Sequence, residues 1–170
     1  MRCESASPGC HRSICGPARP DQRPRASTVK PVYLLDTTVV SEPTRPQPES
    51  KVLDRLQRAD GLCVIAAVVW HELRFGTERL PDGARKQLLV RYLNEVVQPY
   101  LPVIPYDGHA AFIHANLRLD ALAAAEGARQ LPFIDSMIAA TALANNLILV
   151  TRNLADFHGI PHLMLENWWE

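Results

Sequence analysis

Three acidic residues stand at the end or the start of regular elements in this chain: Asp36 in VYLLDTTVVSE, Glu72 in VVWHELRFG and Asp135 in LPFIDSMIAATA. The segment TRNLADF follows the next apolar run and offers Asn153 and Asp156 as a fourth contributor. Carboxylates so far apart in sequence meet only if the fold gathers them. Once gathered, they repel one another strongly unless a cation neutralises them. A hard divalent ion such as Mg²⁺ or Mn²⁺ takes oxygen ligands of this kind. The pattern points to a metal-dependent phosphoryl-transfer site.

Each acid also has a plainer reading. Asp36 is a good helix N-cap. Glu72 could be a surface residue of an amphipathic helix, but its neighbours are Val68, Val69, Trp70, Leu73 and Phe75. A carboxylate in such company is rarely left without a partner. Asp135 lies between Phe133-Ile134 and Met137-Ile138, where a first-turn acid would also favour the helix dipole. TRN could be an ordinary turn. His71-Glu72 begins an H-E-x-x-H zinc motif, but the second histidine is absent because position 75 is Phe. No G-x-G-x-x-G, P-loop, G-x-S-x-G or C-x-x-C motif is present.

The elements that must position these residues follow from hydrophobic period. Residues 32–35 form an apolar run that ends at Asp36 and predicts a buried strand. Thr37-Thr38 can cap the helix after it. A proline-rich loop over 43–48 leads to a helix over 49–60, which Gly61 stops. A strand over 62–66 precedes a helix over 68–80 that carries Glu72. Residues 84–98 are amphipathic, with Leu88, Leu89, Tyr92, Leu93, Val96 and Val97 on one broad face. A short strand over 103–105 and an alanine-rich helix over 107–126 follow. Pro132 opens a helix that runs to residue 146 and holds Asp135 in its first turn. Strands over 147–151 and 162–165 complete the pattern. Strands alternating with helices predict an α/β architecture: a parallel central sheet of about five strands flanked by helices. Ligands of such sheets collect beyond the carboxyl ends of the strands, where Asp36 and Asn153 fall.

Of the 170 residues, 47% are hydrophobic and 21% charged, a mix that suits one domain with a real core. No apolar run approaches the ~20 residues that span a bilayer. The N-terminus lacks a secretory apolar region, so the cytosol is the expected compartment. Residues 1–30 carry six basic and two acidic side chains; residues 31–170 carry twelve basic and sixteen acidic ones. The second segment is therefore not a generally basic nucleic-acid binder, and any phosphate-bearing substrate needs local arginines and metal. Residues 1–30, rich in Pro, Ser and Arg, read as a disordered leader before a domain over 31–170. A zinc knuckle from Cys3, Cys10, His11 and Cys15 is the competing reading, although the paired C-x₂₋₄-C spacing of such sites is missing. Cys63, in an apolar run, is expected to be a buried thiol.

Taken in order, the four acidic blocks resemble those of the PIN-domain ribonucleases, and among them the VapC/FitB class of bacterial toxins. The likeness spans about residues 32–168. LLDTTVVSEPTRPQP is similar to the opening block of the FitB-like branch, and the segments around Glu72, FIDSMIAATA and TRNLADF match the other three. The resemblance implies a PIN-like fold and a metal-dependent endoribonuclease. It makes Asp36, Glu72 and Asp135 metal-binding acids, with the fourth place shared between Asn153, where the family often has Asp, and Asp156. Mg²⁺ is the implied cofactor, with Mn²⁺ as its substitute. Arg118 and Arg152 are candidates to offset phosphate charge. The implied partners are an RNA substrate, a second copy in a homodimer, and an antitoxin protein that binds DNA. The chain would meet DNA only through that antitoxin, and no membrane. The family's D-T-N block is Asp36-Thr37-Thr38 here, and a hydroxyl does not reproduce an amide's pair of donors. Thr38 and Asn153 favour an alternative: a weakly active or inactive PIN-fold subunit that acts mainly through its antitoxin in DNA-bound autoregulation. A flap-type DNA nuclease or an acidic-site phosphatase is a further alternative, but the aspartyl phosphatases need a D-x-D motif that this block lacks.

Overall fold

Bulky apolar runs form the middle of the sheet because parallel strands are covered on both faces. The computed structural model describes residues 30–123 and 131–170. The expected leader lies, except for Lys30, outside the described residues. So do the zinc-knuckle residues and the end of the helix expected to reach residue 126. In chain order, β1 (Tyr33–Leu35), α1 (Thr37–Ser41), α2 (Ser50–Arg58) and β2 (Cys63–Ala66) are followed by α3 (Ala67–Glu78) and α4 (Ala84–Tyr92). Then come α5 (Gln98–Tyr100), β3 (Val103–Ile104), α6 (Gly108–Ala123) and α7 (Phe133–Asn145). The chain closes with β4 (Ile148–Val150), α8 (Leu154–Phe157) and β5 (Leu165–Glu166).

The five strands pair in the order β3-β2-β1-β4-β5, and every pair is parallel. Leu34, Leu35, Val64, Ile65, Leu149 and Val150 are buried within it. Helices cover the sheet, with Val39 and Val40 of α1, Val52 of α2, Val69 of α3, and Ile138, Ala139 and Ala142 of α7 in the core. The expected α/β architecture is the one observed. The chain leaves β1 toward β2 on one side and returns as β4 on the other. This reversal of strand order opens a crevice beyond the carboxyl ends of β1 and β4. The Leu35–Val150 register sets Asp36 beside Thr151 at that crevice.

Four details differ from expectation. Asp36, not the threonine pair, caps α1, since its carboxylate accepts a bond from the Thr37 N–H. The helix over 84–98 is not continuously α. A π-helical turn over Leu93–Val97 separates α4 from α5, and Gln98 N–H donates to Leu93 O. Pro99 explains the slip, because its ring clashes with the carbonyl four residues back and it donates no N–H. The fifth strand is Leu165–Glu166, not 162–165, because His162 adopts φ 64°, outside strand geometry. Finally, the TRNLADF loop contains a helical turn, α8.

Candidate active site

Asp36 ends β1, where its N–H donates to Val150 O at 3.0 Å and so ties it to β4. Its side chain is 8% exposed, and its oxygens are almost fully engaged. Oδ1 accepts the Thr37 N–H at 2.7 Å. Oδ2 accepts the hydroxyls of Thr38 at 2.9 Å and of Thr151 at 2.8 Å. Thr38 thus orients Asp36 with one donor, although it lacks the second that an amide would bring. Glu72, half-buried on α3, accepts the Thr37 hydroxyl at 2.7 Å. A single threonine pair therefore holds two of the acids.

Asp135 lies in the first turn of α7. Its pKa is pushed up to about 6, first by burial and then by the negative charges of Asp36, Glu72 and Asp156. Carboxylates from three other elements thus act on Asp135 by charge. Asp156, half-buried on α8, accepts a hydrogen bond from the Asn153 side-chain amide. Asn153 is exposed, and its backbone N–H donates to Thr151 Oγ1 at 3.1 Å. The structure therefore brings Asp36, Glu72 and Asp156 within electrostatic reach of Asp135. Asn153 touches the group through Asp156 and Thr151.

Among the described residues, no group of three His, Cys, Asp or Glu side chains is already assembled to hold a metal ion. The hydrogen bonds explain this in part, because Asp36 and Glu72 are turned toward hydroxyls rather than toward a common centre. The donor set nevertheless suits a hard divalent cation, being all oxygen and in excess of negative charge. Charges that raise the pKa of Asp135 would equally draw a cation in.

Several residues at this edge escaped the sequence reading. Thr37 and Thr151 bond directly to acids, yet as isolated hydroxyls in a cap and a turn they carry no signal of their own. Behind α7 runs a buried polar chain: Tyr106 Oη meets His114 Nδ1 at 2.7 Å, and His114 Nε2 meets Ser136 Oγ at 2.8 Å. The Ser136 hydroxyl donates to Phe133 O at 2.7 Å. Since Ser136 spends its proton there, it accepts from Nε2–H, and Nδ1 accepts from the tyrosine. Burial and Arg118 lower the pKa of His114, in keeping with this neutral tautomer. The two expected phosphate-facing arginines lie over aromatic rings, Arg118 over Phe133 at 4.9 Å and Arg152 over Trp169 at 5.7 Å.

A parallel five-stranded sheet with carboxylates gathered where its strand order reverses defines the class, and the PIN domain family model matches residues 33–162. The chain belongs to the PIN domain family. It is 34% identical over 142 residues to toxin FitB of Neisseria gonorrhoeae, covering 81% of this chain and 99% of that one. It is 32% identical over 143 residues to the VapC ribonuclease Y4jK of Sinorhizobium fredii, covering 82% and 99%. The solved structure of FitAB bound to an IR36 DNA fragment superposes with a TM-score of 0.72 at 29% identity, over 82% of this chain and 96% of that one.

Proposed function

We propose that this chain is a metal-dependent endoribonuclease, the toxin of a toxin–antitoxin pair, and that Asp36, Glu72, Asp135 and Asp156 are its catalytic acids. The observation that carries the reading is the placing of these acids around the crevice beyond β1 and β4, where Thr38 and Thr151 bond Asp36, Thr37 bonds Glu72, and the charges of Asp36, Glu72 and Asp156 act on Asp135. The ribonuclease and toxin names of its relatives supply the substrate class. These four acids would hold Mg²⁺, or Mn²⁺ in its place. When bound, the ion acidifies the attacking water and offsets charge on the leaving oxygen of the phosphodiester. Thr38 and Thr151 fix Asp36, and Thr37 fixes Glu72, so the acids are ordered before substrate arrives. A cation held there would offset the repulsion that, with burial, raises the pKa of Asp135. The geometry favours Asp156 over Asn153 as the fourth acid, with Asn153 orienting it. The partners in this reading are RNA, a second copy of the chain, and an antitoxin through which DNA is met; the compartment is the cytosol. Among the described residues, no helix is long and apolar enough to cross a membrane.

The test is cleavage of RNA by the full chain with and without Mg²⁺, beside Asp36→Asn. Metal-dependent cleavage lost in the variant supports the reading. Absence of cleavage by the wild-type chain, together with antitoxin-dependent DNA binding, supports the inactive-subunit alternative, which Thr38 and the neutral Asn153 favour.

A further inference from the structure

Phe133 stands out at the start of α7, the helix that carries Asp135. It is a large aromatic, 58% exposed, at the first position of α7 and two residues before Asp135. Exposed aromatics usually gain little by being held still. This one is held from two sides. The ring of His114 meets it edge to face, with centroids 5.0 Å apart at 73°. His114 is itself fixed, because Tyr106 and Ser136 bond both its nitrogens. Ser136 also bonds Phe133 O, which anchors the backbone beneath the ring. Arg118 lies over the ring with its guanidinium carbon 4.9 Å from the centroid. Arg152 and Trp169 make a second pair of the same kind. Arg152 follows Thr151, which bonds Asp36, and lies 5.7 Å from the centroid of half-buried Trp169.

We infer that Phe133 with Arg118, seconded by Trp169 with Arg152, is a platform on which unpaired nucleobases of a single-stranded RNA stack beside the acids. The inference rests on the nuclease reading of the same site. Aromatic faces and guanidinium planes stack on any base, and the arginines add charge for the flanking phosphates. Local charge is needed here, since residues 31–170 carry more acidic than basic side chains and the cluster itself repels RNA. A ring fixed in advance loses little entropy when a base settles on it. Stacking requires a base out of its duplex, so the platform selects single strands, loops and bulges over paired RNA.

The experiment measures binding of a fluorescein-labelled 12-nucleotide single-stranded RNA of mixed sequence, and of its fully paired duplex, by anisotropy. The full chain carries Asp36→Asn so that the RNA survives. Phe133→Ala should weaken single-strand binding about tenfold. Phe133→Trp should restore it, and Phe133→Leu should not, because stacking needs a π face rather than mere apolar area. Duplex affinity should change less than twofold in every variant. Unchanged melting temperatures check that the variants fold. Single-strand affinity unaltered in Phe133→Ala, or fully restored in Phe133→Leu, overturns the platform. The nuclease reading is judged separately in the Asp36 background. Wild-type cleavage with no effect of Phe133 sinks the platform alone. Phe133-dependent binding without cleavage sinks the nuclease alone.

Discussion

At the scale of single residues, the acids differ in what each is expected to do. Asp36→Asn should abolish metal-dependent RNA cleavage and leave the fold intact, because the amide is nearly isosteric but brings no charge to a cation. It should also stabilise the metal-free protein slightly, by removing one of four mutually repelling charges. Wild-type turnover in a folded Asp36→Asn protein would refute the assignment. For Asp135, the folded pKa of about 6 stands above the ordinary 3.8. The folded state therefore holds more protons than the unfolded one between these values, and the metal-free protein loses stability as pH rises through that window. Asp135→Asn should flatten the dependence, which scanning calorimetry in chelator at pH 4.5 and 7 can check. The Asn153–Asp156 pair is separable by calorimetric titration of Mg²⁺. Asp156→Ala should weaken binding several-fold, whereas Asn153→Asp should change it less, since Asp156 already acts on Asp135 by charge.

At the scale of elements, α1 and the turn after it must stay in place for Thr37 and Thr38 to hold two acids. Two buried polar contacts do this. Tyr92 at the end of α4 donates to Val40 O at 2.9 Å, and burial pushes its own pKa up to about 12. Glu42, 2% exposed, accepts the Glu49 N–H at 2.9 Å and lies 3.0 Å from Arg45 Nε. The arginine contact is an ion pair poorly aligned as a hydrogen bond, since Glu42 Oε2 has no aligned donor among the described residues. Tyr92→Phe should cost about 1 kcal/mol, the ordinary value of one such bond. Glu42→Ala should cost about 3 kcal/mol, because it removes the acceptor of the Glu49 N–H and leaves a void where a fully buried side chain stood. Urea denaturation measures both. A loss in Tyr92→Phe equal to that in Glu42→Ala would mean that α4 does more than this bond describes. Cys63 is the buried thiol expected from its apolar run, and burial and the charge of Asp60 push its pKa up to about 12.

At the scale of the whole molecule, the surface leaves Phe75, Leu88, Phe112, Leu119 and Leu122 each more than half exposed. The homodimer expected from the family, with the helices between residues 51 and 92 contributing, would cover part of this surface. Sedimentation equilibrium at micromolar concentration should show a dimer, and Phe75→Glu should shift it toward monomer by at least tenfold. A strictly monomeric wild-type chain would count against the expectation.

The sequence alone was enough to show alternating strands and helices and to place Asp36 at the end of a strand and Asp135 in the first turn of a helix; Glu72, expected at the start of its helix, falls instead in the middle of Ala67–Glu78. Those features are local: an apolar run, a period of 3.6, a glycine stop at Gly61, a proline before Asp135. Composition could not reveal which donors face which acid. The bond from Thr151 to Asp36 joins residues 115 positions apart and exists only because β1 and β4 pair in one register. The same pairing with β4 sets the short edge strand at Leu165–Glu166, where local pattern favoured the residues before it. Likewise the raised pKa of Asp135, and the rigid exposure of Phe133 on His114, depend on charges and rings brought from other elements. Interactions between distant residues have no period to read, so only the packed structure decides them.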